Sequence, residues 1–164
     1  MPHPFHPPEL PQGHRILPMR RADLARVHAL EVAGQKDPWG LESFSSELEN
    51  RHSTVDLYWC SDELAGYLCS WLVVGELQIQ NLVTSPAWRR RGIASRLLEN
   101  VLARRRAAGM GSAWLEVLLV NAAAIDLYRR YGFRVTGCRR AYYLDGEDAL
   151  LMALDTHFTT GESE

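Results

Sequence analysis

Arg89-Arg90-Arg91-Gly92-Ile93-Ala94 is the segment whose residue types and order point most directly to chemistry. It joins a stretch of strand-like alternation to a stretch of helical spacing. The first N–H groups of a helix have no intrahelical partner, and the helix dipole places partial positive charge beside them. Gly92 removes the side chain that would hold an anion off the backbone, and Ala94 keeps the next turn nearly as open. The arginines add attraction and direct pairing. A diphosphate-bearing ligand fits this junction. A solvated helix start with a turn glycine is the competing reading, because short glycine motifs also occur without ligands. The segment lacks the lysine and hydroxyl of a nucleoside-triphosphate loop, and it is not GxGxxG.

Three side chains further on carry possible chemistry. Glu116 interrupts the apolar run Trp114-Leu115-Glu116-Val117-Leu118, where it is either a reacting carboxylate or an outward-facing residue on the polar side of a strand. Tyr128 lies among Ala124, Ile125, Leu127 and Tyr131, where core packing with a locally satisfied hydroxyl is the alternative to a proton-transfer role. Asn121 is equally a ligand contact or a helix cap.

The elements that must position these residues can be read from periodicity. Leu77, Ile79, Asn81 and Val83 alternate with Gln78, Gln80 and Leu82, the period-two pattern of a strand, and Pro86 closes it. Ile93, Leu97, Leu98, Val101 and Leu102 form a helical stripe ending at a glycine cap, Gly109. Before this unit, Arg15 to Met19 reads as a strand. Leu24, Val27 and Leu30 mark a helix, and Leu41, Phe44 and Leu48 mark a second one after the break at Gly34 to Gly40. Val55, Leu57 and Trp59 alternate in a strand, and Ser61-Asp62-Glu63 turns it into a partner running from Ala65 to Val73. After the Trp114–Leu118 strand come a short helix from Ala122 to Tyr131 and two strands, Val135 to Ala141 and Ala149 to Leu154. The order β α α β β β α β α β β describes an α/β domain with a mixed sheet flanked by helices.

Composition bounds the possibilities. The 164 residues suffice for one domain with a real core, and no internal repeat or second-domain linker is visible. A formal net charge of -2 argues against a general nucleic-acid binder, and Arg104 to Arg106 reads as the solvated end of a helix. Cys60, Cys69 and Cys138 are widely spaced and are expected as small buried side chains. No secretory or membrane-length apolar run is read, so the expected compartment is the cytoplasm, with no membrane association. Residues 1–13 hold five prolines and are expected as a disordered tail, followed by one domain over 14–156 and a flexible end over 157–164. His3, His6 and His14 lack the carboxylate or cysteine that would complete a metal site, and no metal is expected.

Taken together, these residues resemble the GNAT acetyltransferases. Arg89-x-x-Gly92-x-Ala94 after a strand matches their Q/R-x-x-G-x-G/A motif. Asp37-Pro38-Trp39 with Phe44, Leu115-Glu116-Val117, Asn121 to Ile125, Leu127-Tyr128 and Tyr131-Gly132-Phe133 are similar to the branch that acetylates the N-terminal alanine of a bacterial ribosomal protein. So are Arg139 to Tyr143 and Glu147 to Met152. The likeness runs over about residues 15 to 154. Leu118 stands where that branch usually carries arginine, and Val120 where it carries a small polar residue.

The resemblance implies a GNAT fold, a mostly antiparallel sheet of about seven strands with about four helices, and acetyl-CoA as co-substrate. It implies that Asn81, Leu82 and Val83 bind the pantetheine arm, that Arg89, Arg90, Arg91, Gly92, Ile93 and Ala94 hold the pyrophosphate, and that Asn121 adds a contact. Glu116 would be the general base and Tyr128 the general acid, with Trp39, Tyr142 and Tyr143 lining the peptide side. The implied partner is a protein N-terminus, on a ribosomal protein, with no direct contact to nucleic acid; the expected state is a monomer or weak dimer. A GNAT enzyme for lysine or a small amine, and a non-catalytic acyl-CoA-binding module, are the alternatives.

Overall fold

The computed structural model describes residues 6–140 and 146–155. Strands β1 (His14–Pro18), β2 (Ser53–Cys60), β3 (Glu63–Val73), β4 (Glu76–Thr84), β5 (Ser112–Leu118), β6 (Arg134–Arg139) and β7 (Ala149–Asp155) form one sheet, in the order β1-β2-β3-β4-β5-β7-β6. Helices α1 (Leu24–Gly34), α2 (Leu41–Glu49), α3 (Ile93–Ala107) and α4 (Ala122–Arg130) cover its faces. The element order and the mixed, mostly antiparallel sheet agree with the expectation.

Tight turns set most of the pairing. Val74 and Gly75 both take positive φ, 49° and 76°, in the two-residue turn that makes β3 and β4 antiparallel. The chain between β4 and β5 must instead travel the length of α3, and β4–β5 is the parallel pair of the sheet. Two apolar clusters follow. One holds Leu97, Leu98, Val101 and Leu102 of α3 against Leu77, Ile79, Leu115 and Val117; the other holds Val27, Leu30 and Phe44 against Leu57, Tyr67, Cys69 and Val83.

Strand β4 departs from the simple alternation. Its register with β3 slips between Asn81, opposite Cys69, and Ile79, opposite Ser70, so Gln80 is a bulge. Leu77 and Ile79 therefore face the α3 cluster, whereas Val83 faces the α1–α2 cluster. The unbroken period-two face expected over Leu77, Ile79, Asn81 and Val83 is divided in two, because one extra residue exchanges every later side chain between faces.

Pairing of β4 with β5 starts at Glu76 and Ser112 and ends at Ile79 and Leu115. Beyond that point the strands separate. Residues 80–84 keep β3 on one edge and have no strand on the other.

Three expectations change. Arg104 is not simply a solvated helix end: its guanidinium makes two hydrogen bonds, 3.1 and 2.9 Å, to the buried Asp56 carboxylate, and Arg105 donates to Thr54 Oγ1 at 2.7 Å. Cys60 and Cys69 are buried, but Cys138 is exposed, as its place on the edge strand β6 dictates. Within the proline-rich stretch, Leu10 packs against the α3-side cluster, and Pro11 accepts a hydrogen bond from the His14 N–H.

Candidate functional site

The separation of β4 from β5 opens a cleft of about 800 Å³. Its walls are Leu82 and Val83 on β4, the segment from Trp88 into the first turn of α3, and the α4 side chains Leu127 and Tyr128. Of the residues singled out in the sequence, it gathers Leu82, Val83, Arg89, Arg90, Gly92, Ile93, Ala94, Asn121 and Tyr128. Asn81, Arg91, Glu116 and Trp39 are not among the lining residues. Tyr142 and Tyr143 lie outside the described residues.

The basic junction owes its shape to two left-handed residues, Arg90 at φ 63° and Gly92 at φ 78°. Gly92 caps α3 and has no side chain to occupy the free N–H groups, so a helix of 15 residues presents an uncapped N-terminus to the cleft. The Arg96 guanidinium donates to the Arg91 carbonyl at 3.0 Å and to the Tyr58 hydroxyl at 3.3 Å, which ties the loop back to β2. Arg91 does not reach the cleft because its guanidinium stacks on the Trp88 ring, 4.7 Å from the centroid. Arg89 and Arg90 are left as the lining cations of this loop.

Asn121 caps α4, accepting a hydrogen bond from the Ala124 N–H at 3.2 Å, and also lines the cleft. Tyr128 is 6% exposed and packs edge-on against Phe133. Burial pushes its hydroxyl proton affinity well above the ordinary tyrosine value, so the group stays protonated at neutral pH.

Glu116 is the first residue of β5 past the last β4–β5 pair. Leu115 and Val117 enter the α3-side cluster, so its carboxylate emerges on the other face of the sheet, where it lies 3.3 Å from the Arg139 guanidinium. Its side chain is 14% exposed. Trp39 packs on Phe44 with ring centroids 5.5 Å apart, against the α1–α2 cluster. Among the described residues no group of three or more His, Cys, Asp or Glu is placed to hold a metal ion.

Several lining residues escaped sequence reasoning. Gly34 and Gln35 come from the end of α1, Ser95 from α3 and Arg130 from the last turn of α4. Gly34 carries a signal in hindsight: a Cβ there would lie 2.7 Å from Val83 Cγ1, so α1 meets β4 as closely as a glycine permits.

Comparison with known proteins yields consistent matches. The acetyltransferase (GNAT) family model matches residues 24–133. The [ribosomal protein bS18]-alanine N-acetyltransferase of Escherichia coli (strain K12) is 32% identical over 142 residues, which are 85% of this chain and 95% of that protein. The N-alpha-acetyltransferase RimI of Mycobacterium tuberculosis is 33% identical over 150 residues, 84% of this chain and 90% of that one. Among solved structures, the ribosomal-protein-S18-alanine N-acetyltransferase from Escherichia coli superposes with a TM-score of 0.83 at 30% identity, over 92% of this chain and 98% of its own.

Proposed function

The chain belongs to the acetyltransferase (GNAT) family, and from that premise we propose that it transfers acetyl from acetyl-CoA to the N-terminal α-amino group of a protein, the alanine of a small-subunit ribosomal protein. The observation that carries this reading is the gap between β4 and β5, closed at one end by the uncapped start of α3 and flanked by Tyr128.

The residues present suit such a donor. Backbone groups of residues 81–83 have no β5 partner and are free to hydrogen-bond an extended pantetheine arm as a missing strand would. Arg89, Arg90 and the α3 N-terminus meet a pyrophosphate with charge and N–H groups together, and Asn121 adds an amide at the cleft wall.

In this mechanism Glu116 accepts a proton from the acceptor ammonium, directly or through one water. An α-amino group titrates near about 8, so the carboxylate only completes a deprotonation already under way. The amine nitrogen attacks the thioester carbonyl, and β4 backbone N–H groups stabilise the oxyanion. Collapse forms the amide and expels the thiolate, which takes the Tyr128 phenolic proton. No covalent enzyme intermediate is needed, and alignment of the two substrates supplies much of the acceleration. Trp39 bounds the acceptor side through its packing beneath the α1–α2 loop. A ribosomal acceptor places the reaction in the cytoplasm.

The test is mass spectrometry of a peptide panel incubated with enzyme and acetyl-CoA. The panel holds an alanine-initiated peptide, an internal-lysine peptide with a blocked N-terminus, and spermidine. Acetylation confined to the alanine N-terminus is expected. Acetylation of lysine or spermidine alone overturns the acceptor class, and binding of acetyl-CoA without any product overturns the enzyme reading.

A further inference from the structure

Behind the cleft the fold buries a carboxylate that acetyl transfer does not use. Glu31, on α1, is 1% exposed, and among the described residues no cation pairs with it. The Tyr67 hydroxyl, on β3, donates to Glu31 Oε2. Asn81 Nδ2, on β4, lies 3.1 Å from Oε2, 3.3 Å from Oε1 and 2.6 Å from the Tyr67 hydroxyl oxygen. Gln35 Nε2 completes the group by donating to Asn81 Oδ1 at 3.0 Å.

Burying an anion without a counter-charge costs free energy that an apolar residue would not incur. What the group achieves is a matter of location. Asn81 follows the Gln80 bulge, in the part of β4 that has lost β5 as a neighbour. The sheet restrains this segment from one edge only. Glu31 and Gln35 hold it from α1, while Gly34 lets the helix close onto Val83. Because its amide is held by Glu31, Asn81 turns its side chain away from the cleft and leaves its backbone on the cleft side.

We propose that Glu31 is a positioning residue for acetyl transfer: through Asn81 and Tyr67 it fixes the free segment of β4 against α1, so that the strand wall of the cleft and the start of the α1–α2 loop at Gln35 are set by one contact. This rests on the reading of the cleft as the acetyl-CoA site. The charge matters because one ionised carboxylate accepts from Tyr67 and Asn81 together, and hydrogen bonds to an ionised acceptor are the strong ones.

A polarity exchange tests this. Asn81→Asp sets two carboxylates about 3 Å apart, which cannot both ionise. Glu31→Gln weakens the acceptor. The double variant Glu31→Gln/Asn81→Asp reverses donor and acceptor across the same contact, and Gln35 still has an oxygen to donate to. For the four proteins, kcat and KM for the acceptor peptide are measured with acetyl-CoA affinity by calorimetry and Tm. Asn81→Asp is expected to lower kcat/KM about ten-fold or more, Glu31→Gln by less, and the double variant to recover to within about three-fold of the parent, with acetyl-CoA Kd following the same pattern. Folded single variants with parental kcat/KM and Kd, whatever their Tm, overturn the proposal, as does a double variant no better than Asn81→Asp. Should Asn81→Asp not fold, Tyr67→Phe decides: it keeps the ring packed on Phe44 and is expected to lower kcat/KM about three-fold, and a parental value overturns the proposal. A parent protein that acetylates no peptide removes the functional reading, and the acetyl-CoA Kd pattern then judges the positioning role separately.

Discussion

Ile79 and Leu115 are the last partners of the parallel strand pair, and the residue that follows Leu115 is Glu116. The carboxylate assigned as base thus stands at the fork where the sheet opens, on the face opposite Tyr128, which packs in the α3-side cluster with Leu115. The two groups approach the reaction from opposite sides, as removal of a proton from the amine and return of one to the thiolate demand.

Glu116→Gln is expected to lower kcat/KM about 100-fold near pH 7, with the loss shrinking as pH rises past the amine value of about 8, where the acceptor arrives deprotonated. A pH–rate profile of the variant checks this. A constant ratio to the parent across pH removes Glu116 as base.

Tyr128→Phe keeps the packing on Phe133 and removes only the hydroxyl. It is expected to lower kcat about ten-fold or more while acetyl-CoA affinity stays within about two-fold, since the proton is needed only when the thiolate leaves. Rapid-mixing rates and calorimetry read the two effects, and an undiminished rate assigns the proton to solvent.

Gly92 holds φ 78°, a conformation that costs an L side chain about 1–2 kcal/mol. Gly92→Ala also places a methyl where the anion would approach. Acetyl-CoA binding about ten-fold weaker, with Tm lowered by only a few degrees, is the expected calorimetric outcome.

At Gly66 a Cβ would lie 2.8 Å from the Val83 carbonyl oxygen and 2.9 Å from Ile93 Cγ2. A backbone oxygen cannot swing aside, so Gly66→Ala is expected to destabilise by about 1–3 kcal/mol. Because Val83 and Ile93 both line the cleft, acetyl-CoA affinity should fall with stability. Urea titration with and without acetyl-CoA measures both.

Tyr67 and Tyr128 have proton affinities raised mainly by burial, and Tyr131 is pushed up to about 12 by partial burial and its hydrogen bond to Glu99. Above about pH 10 the unfolded chain releases these protons while the folded chain keeps them. Stability contributed by these groups is therefore intact below pH 10 and declines above it, by about 1.4 kcal/mol per pH unit for each of the two buried tyrosines. Thermal melts between pH 8 and 11 should show this fall, with a shallower slope for Tyr128→Phe.

Much of this structure was legible in the chain. The element order followed from periodicity because each segment buries one face, and α3 announced itself by Leu97, Leu98, Val101 and Leu102. Its glycine stop held too: Gly109, at φ 92°, follows the last turn. The phosphate-like junction was visible because glycine and arginine are needed there by type. The Gln80 bulge was invisible, since glutamine has no special backbone preference and the slip depends on β3. Glu31 was hidden for a related reason. A glutamate on an amphipathic helix reads as solvent-facing, and its donors, Tyr67 and Asn81, are 36 and 50 positions away. The Asp56–Arg104 pair, 48 positions apart, concealed itself in the same way.

The Gln80 bulge sets a parity rule for the β4 segment. Removal of that one residue would send Asn81 and Val83 to the α3 side and Leu82 to the α1 side, taking apart the Glu31 contact, the Gly34 seat and the cleft wall in a single step. Length changes between Ile79 and Thr84 are therefore tolerable only in pairs, whereas the exposed Val74–Gly75 turn at the strand's other end can vary one residue at a time.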